Sequence, residues 1–477
     1  MTPQNRDSSA SSSSISGGGD KGFEEQSIFV IDAIHTPKFK YNDVRKSYDV
    51  IPTSTSLHGH AKDKREAFVH RFHTVYQRLL RQKQFRPPEN RFEKHRNYIQ
   101  LTLTRSLHGE SNEQRVVFGL LSCIQEGKYV LEDLDSYVKL DLSETKIDTG
   151  LFTENCFVLV EGRLEDEVFI VSSMSFPPAE TRKQSLLMYP SMSSFGINLK
   201  NTDRVRLEAS VKNGEMDDHT VVVLSDLWLD KPYILDNFRT LLEGFVDSVP
   251  RLFVLMGNFT SRPLGLKGGD VKKLQAYFDD LADIILEFPD LIKSSKFVFI
   301  PGPNDLGIGN VLPRSGLPRV ITRKLRSNRF PRNSTIFPSN PCRILYGTRE
   351  LLFFRQDITH QMRRNCILQP STHETKDITN HLVKTILEQS HLCPLPNTTR
   401  PVHWENEHAL HVYPLPDLLV LGDSVDQFNW SHYECSCANP ASFALDRSFI
   451  IYHPGKNKVQ FSRVGREVES KKNLELK

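Results

Sequence analysis

The sequence predicts a multidomain α+β and α/β protein: a small closed β-barrel, then a larger αββα sandwich of two sheets flanked by helices. Three observations carry this. Between Thr220 and Asp305, three apolar runs alternate with segments of helical length, and each run ends in a small polar motif. Between Tyr98 and Phe176, short alternating runs are separated by turn residues. A second set of apolar runs follows at Arg343–Tyr346, Leu351–Phe354, Leu418–Leu421 and Phe449–Tyr452.

Composition bounds the function. The chain has 477 residues, with 61 Lys plus Arg against 58 Asp plus Glu and a formal net charge of +3. Such near balance gives no global electrostatic case for nucleic-acid binding and leaves only local patches. Seven cysteines, an odd number, and an amino terminus without an apolar signal core lead to the expectation of a reducing, intracellular compartment. No apolar run approaches the ~20 residues that span a bilayer.

The chain divides, on this reading, into four parts. Residues 1–26 form a tail with Ser11–Ser14 and Gly17–Gly19, a composition that buries no core and is expected to be disordered. Residues 27–96 hold an extended segment from Ile28 and a helix over Ala61–Arg81. Phe68, Phe72, Val75 and Leu79 fall on one side of that helix and basic residues on the other, an amphipathic pattern that is expected to pack on the body. Residues 97–200 form the barrel, with strands expected at Arg115–Leu121, Lys128–Glu132, Tyr137–Asp141, Cys156–Glu161 and Val168–Val171. Five short strands over this length fit an OB-fold, and Gly162 suits a bulge or a barrel corner. Tyr129, Tyr137 and Phe169 are aromatics of the type that stack on bases. The many carboxylates around them favour protein packing over single-strand binding.

Residues 201–477 form the sandwich. The runs Thr220–Trp228, Leu252–Ser261 and Phe297–Asp305 read as buried strands. Ile234–Phe245 and Val271–Phe288 read as helices between them, and His381–Gln389 as a later one. Strand-helix-strand order makes the strands parallel, with their carboxyl ends on one edge, where open α/β sheets build their sites. After Asp305 comes a basic run, Arg314, Arg319, Arg323, Lys324, Arg326, Arg329 and Arg332. It is a candidate contact for DNA or a protein partner. Cys435-Ser-Cys437 with His432 nearby lacks a second cysteine pair at zinc spacing, so ordinary cysteines in a core or loop are expected.

The strand-end motifs resemble the ligand pattern of calcineurin-like metallophosphoesterases, whose two cations need an anionic bridging carboxylate. The match fails at most ligands. Asp226 remains, but Trp228 stands at the histidine position. Asn258 replaces the bridging aspartate. Pro303 and Asn304 replace the asparagine and histidine ahead of Asp305. His391 matches an isolated histidine, and Asp423 and Val425 replace the last two. Trp, Pro and Val offer no side-chain ligand. The expectation is a former metal cleft with no metal, no other cofactor and no catalysis.

A barrel followed by such a domain resembles the B subunits of eukaryotic replicative DNA polymerases, and among them the epsilon type. The strings that carry this include Val222–Asp230, Gly257–Ser261, Phe297–Pro303, Asn340–Arg343, His381–Leu387, His391–Pro396 and Tyr413–Leu419. Ile31–Ala33, Pro37–Phe39 and Leu131–Asp133 extend it into the first half. The resemblance implies a nuclear, non-catalytic accessory subunit in DNA replication. It implies two partners, the cysteine-rich C-terminal domain of the epsilon catalytic subunit and components of the replicative helicase, with DNA met indirectly or weakly and no membrane. Members of that family carry a small helical domain ahead of the Ile-Asp-Ala segment, where this sequence has the Ser/Gly-rich tail. Helicase contacts that need that domain are therefore expected to differ. Two other readings remain at this stage: a single-strand binder acting through the barrel, and a divergent metal-dependent phosphodiesterase.

Overall fold

The computed structural model describes residues 28–465, apart from residues 53–55, 57, 87–97, 110–112, 191, 194, 197–200, 266, 308, 371 and 374. The expected tail at 1–26 lies outside the described residues.

The three apolar runs form parallel strands Val221–Ser225, Leu252–Met256 and Lys296–Ile300 at the centre of a six-stranded sheet. Apart from the half-buried Lys296, their residues are buried on both faces, which is why the runs are continuous rather than alternating. Ser448–His453 and Lys458–Arg463 extend one side antiparallel, and the short strand Thr335–Ile336 forms the other edge. In-register pairing aligns Ser225, Met256 and Ile300, so the motifs that follow them emerge side by side.

The second sheet has the order Ile28–Asp32, Cys342–Tyr346, Arg349–Arg355, Leu418–Gly422, Cys435–Asn439, Phe428–His432. The amino-terminal segment is thus an edge strand of this sheet, paired antiparallel with Cys342–Tyr346. The two sheets share one core in which Val223, Val254 and Val298 meet Ile344, Phe353 and Val420. The outer face of the first sheet packs on helices Pro232–Glu243 and Gly268–Leu286 through Phe238, Phe253, Phe278 and Ile285. The outer face of the second packs on helices Ile358–Arg364 and Ile378–Gln389. Each such fully buried side chain contributes roughly 1.5–3 kcal/mol.

Five strands close the barrel: Arg115–Gln125, Lys128–Glu132, Tyr137–Asp141, Val168–Ser175 and Phe157–Glu165, the last pairing back onto the first. Gly162 lies opposite Val171 where the register slips. A Cβ there would stand 2.0 Å from the Ile170 carbonyl oxygen, so only glycine allows the strands to approach.

The helix Ala61–Leu79 packs on the body with both of its sides. Its basic residues do not all face solvent, because Arg71 and Arg78 are buried. The helix is clamped between the barrel and the sandwich. Phe72, Val75 and Leu79 pack on Phe118 and Phe157 of the barrel. Arg78 donates to Ser390 Oγ at 2.6 Å and to the Pro177 and Glu388 carbonyls. Arg71 donates to the Asn155 carbonyl at 3.1 Å. Two further helices, Arg182–Met188 and Asn201–Lys212, occupy the polar stretch that read as a connection.

Candidate functional site: a cleft closed by an arginine

The carboxyl ends of the central strands turn sharply. Asp226 takes a left-handed backbone at φ 60°, a conformation that costs about 1–2 kcal/mol for a residue with a Cβ. Its own bonds hold it there. Its amide donates to the Met256 carbonyl at 3.0 Å. Its Oδ1 accepts from the Asn258 amide at 2.9 Å and from Asn258 Nδ2 at 3.3 Å. Asn258 Oδ1 in turn accepts from the Asn304 amide at 2.9 Å. Asp305 accepts from the amides of Phe259 and Gly302, both at 2.7 Å. Gly257 and Gly302 permit this crowding. A Cβ on Gly257 would lie 1.9 Å from Asp305 Oδ2, and one on Gly302 would lie 2.6 Å from Asn258 Oδ1.

Into this frame comes a side chain that the sequence pattern does not single out. Arg355 ends its strand beside Gly422 in the parallel pair of the second sheet. It is fully buried, at 1% exposure. Its Nη2 lies 2.7 Å from Asp226 Oδ1, and its Nη1 lies 2.8 Å from Asp357 and 3.1 Å from the Gly422 carbonyl. Nε donates to the Gly257 carbonyl. Asn340 fixes the backbone behind it, donating to the Arg355 and Pro301 carbonyls and accepting from the Arg355 amide. One guanidinium therefore ties the first sheet to the second across the mouth of the cleft. Burial disfavours its charge, but the carboxylates of Asp226 and Asp357 outweigh burial and raise its pKa above the usual arginine range.

The residues present do not fit a pair of cations. The Asp226 carboxylate is engaged by the guanidinium, and both Asp305 oxygens are engaged by backbone amides. Burial raises the Asp305 carboxyl to about 6. Asp423, also raised by burial, accepts from the Thr359 amide and hydroxyl, each at 2.8 Å. Among the described residues no group of three or more His, Cys, Asp or Glu side chains stands together as a metal would need. Purified chain is therefore expected to keep its melting temperature when treated with a chelator. A downward shift would show that a metal supports the fold.

The other pattern positions scatter. Trp228 packs against the outer core of the first sheet and Val425 against that of the second. Asn304 is exposed and Pro303 half-buried. His391 was expected with the cleft and is not there: Nδ1 accepts from the Cys393 amide at 3.1 Å, and Nε2 lies 3.1 Å from Glu407. That carboxylate also binds His411 at 2.8 Å. Cys435 and Cys437 are buried with their sulfurs 3.8 Å apart, while His432 turns to Asn380 at 2.6 Å.

The basic run divides too. Arg314 is buried and donates to the Asp305 and Gly309 carbonyls, so it supports the cleft and offers no outer contact. Lys324 is paired with Asp283. On the barrel, Phe169 is an interior residue and Tyr137 an exposed one. The groove of about 980 Å³ between the barrel and the basic helix is walled by Glu126, Glu132, Asp133, Asp135 and Glu154 against Lys64 and Arg65. That excess of carboxylates repels a phosphate backbone.

The chain is a closed barrel joined to a two-sheet sandwich, and over both parts its sequence matches polymerase accessory subunits. Residues 61–178 match the family model of the DNA polymerase epsilon subunit 2-like OB-fold domain, and residues 221–429 that of the DNA polymerase alpha/epsilon B subunit. The first match begins at Ala61 and so includes the clamped helix. The B subunit of DNA polymerase epsilon from Arabidopsis thaliana is 39% identical, covering 91% of this chain and 83% of that protein. DNA polymerase epsilon subunit 2 of Homo sapiens is 40% identical over the same shares, and the epsilon B subunit of Saccharomyces cerevisiae 27% identical over 90% and 74%. The chain belongs to the DNA polymerase epsilon subunit 2 family, whose members are also called epsilon B subunits.

Proposed function

We propose that the chain is a non-catalytic accessory subunit of the DNA polymerase epsilon complex, acting in the nucleus as a scaffold. It holds the cysteine-rich C-terminal domain of the catalytic subunit and links it to the replicative helicase. The observation that carries the non-catalytic reading is the Arg355–Asp226 pair, 2.7 Å long and buried on both sides, in the place where a phosphoesterase would need metal. Asp226, Asn258, Asp305 and Asp423 are on this reading the retained floor of a metallophosphoesterase-like αββα domain. Loss of ligands removes chemistry and keeps the fold, leaving its surfaces free for partners. The acidity of the barrel groove speaks against the rival reading as a single-strand binder through the barrel.

Co-expression tests the proposal. The full chain is expected to co-purify with the C-terminal domain of an epsilon catalytic subunit through a wash at moderate salt. Elution of the chain by itself would refute the scaffold role. The purified chain supplied with manganese or zinc is expected to leave a simple phosphodiester intact. Turnover abolished by Asp226→Asn would restore the enzyme reading.

A further inference from the structure

Four arginines of the loop between strands Lys296–Ile300 and Thr335–Ile336 line one concave surface at the edge of the first sheet. They are Arg319, Arg323, Arg326 and Arg332, all exposed, around a depression of about 810 Å³ that Asn328 and Asn333 also line. No carboxylate lines it. Lys324, the cation of the same run that has an acidic partner, turns away to Asp283. Like charges this close repel one another. Burial lowers the Arg326 pKa, and the neighbouring charge of Arg319 lowers it further. Arg326 is nevertheless held in place, its Nε donating to Thr322 Oγ1 at 2.9 Å and its guanidinium 4.1 Å from the centre of the Phe337 ring. A fixed cationic hollow with no internal counter-charge gains stability from an outside anion.

Shape and chemistry select the anion. Leu325 and Phe330 are buried beneath the hollow, so it lacks the apolar anchor socket around which protein interfaces concentrate their binding energy. What it presents is guanidinium and amide groups, the donors that bind phosphate and sugar oxygens without reading sequence. The other large concave surface, the barrel groove, has the opposite sign. We propose that the hollow formed by Arg319, Arg323, Arg326 and Arg332 is a binding site for the phosphate backbone of nucleic acid. This site is independent of the scaffold role.

The test uses the full chain and a fluorescent oligothymidylate longer than ~16 nucleotides, followed by anisotropy across a salt series. The variant Arg319→Gln/Arg323→Gln/Arg332→Gln keeps Arg326, whose ring contact supports the loop. Losing three phosphate contacts is expected to weaken binding about tenfold or more at low salt and to flatten the slope of log affinity against log salt by about 2. The triple Arg→Lys variant is expected to keep the slope. A control that removes three exposed charges elsewhere, Lys273→Gln/Lys456→Gln/Lys458→Gln, is expected to bind like the parent. Absence of binding by the parent, or equal losses in variant and control, would overturn the proposal. Displacement of the oligonucleotide by polyglutamate at lower charge concentration than by unlabelled oligothymidylate would also overturn it, in favour of an acidic protein segment.

Discussion

Arg355→Met is expected to destabilise the chain by about 3–5 kcal/mol, because removing one partner of a buried pair leaves the other charge uncompensated. The stranded group is the Asp226 carboxylate, whose remaining partners are the Asn258 amide and side chain. The Gly257 and Gly422 carbonyls each lose one donor as well, keeping Ser225 Oγ and the Gln356 amide respectively. Arg355→Lys is expected to fall between parent and Met, since a single ammonium cannot span two carboxylates and two carbonyls in a planar fork. The double variant Arg355→Met/Asp226→Asn removes both charges and is expected to recover part of the loss, a coupling read from a double-mutant cycle. Denaturant unfolding of the full chain measures all three. A loss under about 1 kcal/mol for Arg355→Met would mean that water or relaxation satisfies the cleft, against the role given to this side chain.

The second large effect is acid lability. Of the histidines that burial pushes down, three go furthest: His70 to about 3, His391 to about 4 and His408 to about 4. His411 adds to the effect on His70 and His408, and Arg71 to that on His391. In the unfolded chain these rings take up protons below an ordinary pKa of about 6.5, whereas the folded protein refuses them. Stability is therefore full above that pH and falls as pH drops towards 4. Each ring contributes about 1.4 kcal/mol per pH unit, so three together remove roughly 4 kcal/mol per unit. Against a typical total of about 5–15 kcal/mol, this is enough to unfold the chain before the folded-state values are reached. Glu407, held below the ordinary carboxylate range by His411 and His391 against its own burial, adds a loss only below about 4.5. Thermal melts from pH 7 to pH 4.5 check this, and a flat profile would refute it. Neither ring nitrogen of His70 has a hydrogen-bond partner among the described residues. His70→Phe is thus expected to stabilise at neutral pH and to lessen the acid slope by about one third.

Much of the fold was legible because it is locally encoded. The strands at Leu252 and Phe297 are apolar runs bounded by Gly, Asn and Pro, and the barrel strands alternate between turns. The floor of the cleft was legible for the same reason, since Asp226, Asn258 and Asp305 follow those strands directly. Arg355 was not. Its meaning depends on a parallel pairing with Gly422 and on contact with a sheet made more than 90 residues earlier, and nothing local distinguishes it from a surface arginine. The burial of Arg71 and Arg78 was not legible for the same reason: the carbonyls that satisfy them come from Asn155, Pro177 and Glu388. The helix Asn201–Lys212 carries too few apolar residues to show a buried stripe. His391 matched by order along the chain, which says nothing of the carboxylate a fold will set beside it.

The edge strand Ile28–Asp32 has a consequence for biosynthesis. Its partner, Cys342–Tyr346, is more than 300 residues downstream. At translation rates of roughly 5–20 residues per second it emerges from the ribosome about 15–60 seconds later. Through that interval an apolar strand has an unpaired backbone, the condition under which nascent chains associate with one another. The barrel, whose five strands all lie between Arg115 and Ser175, can close early in the same interval. The finished molecule thus joins a part that can fold during synthesis to a sheet that can close only near its end, and the early strand is where a nascent-chain chaperone would have most to protect.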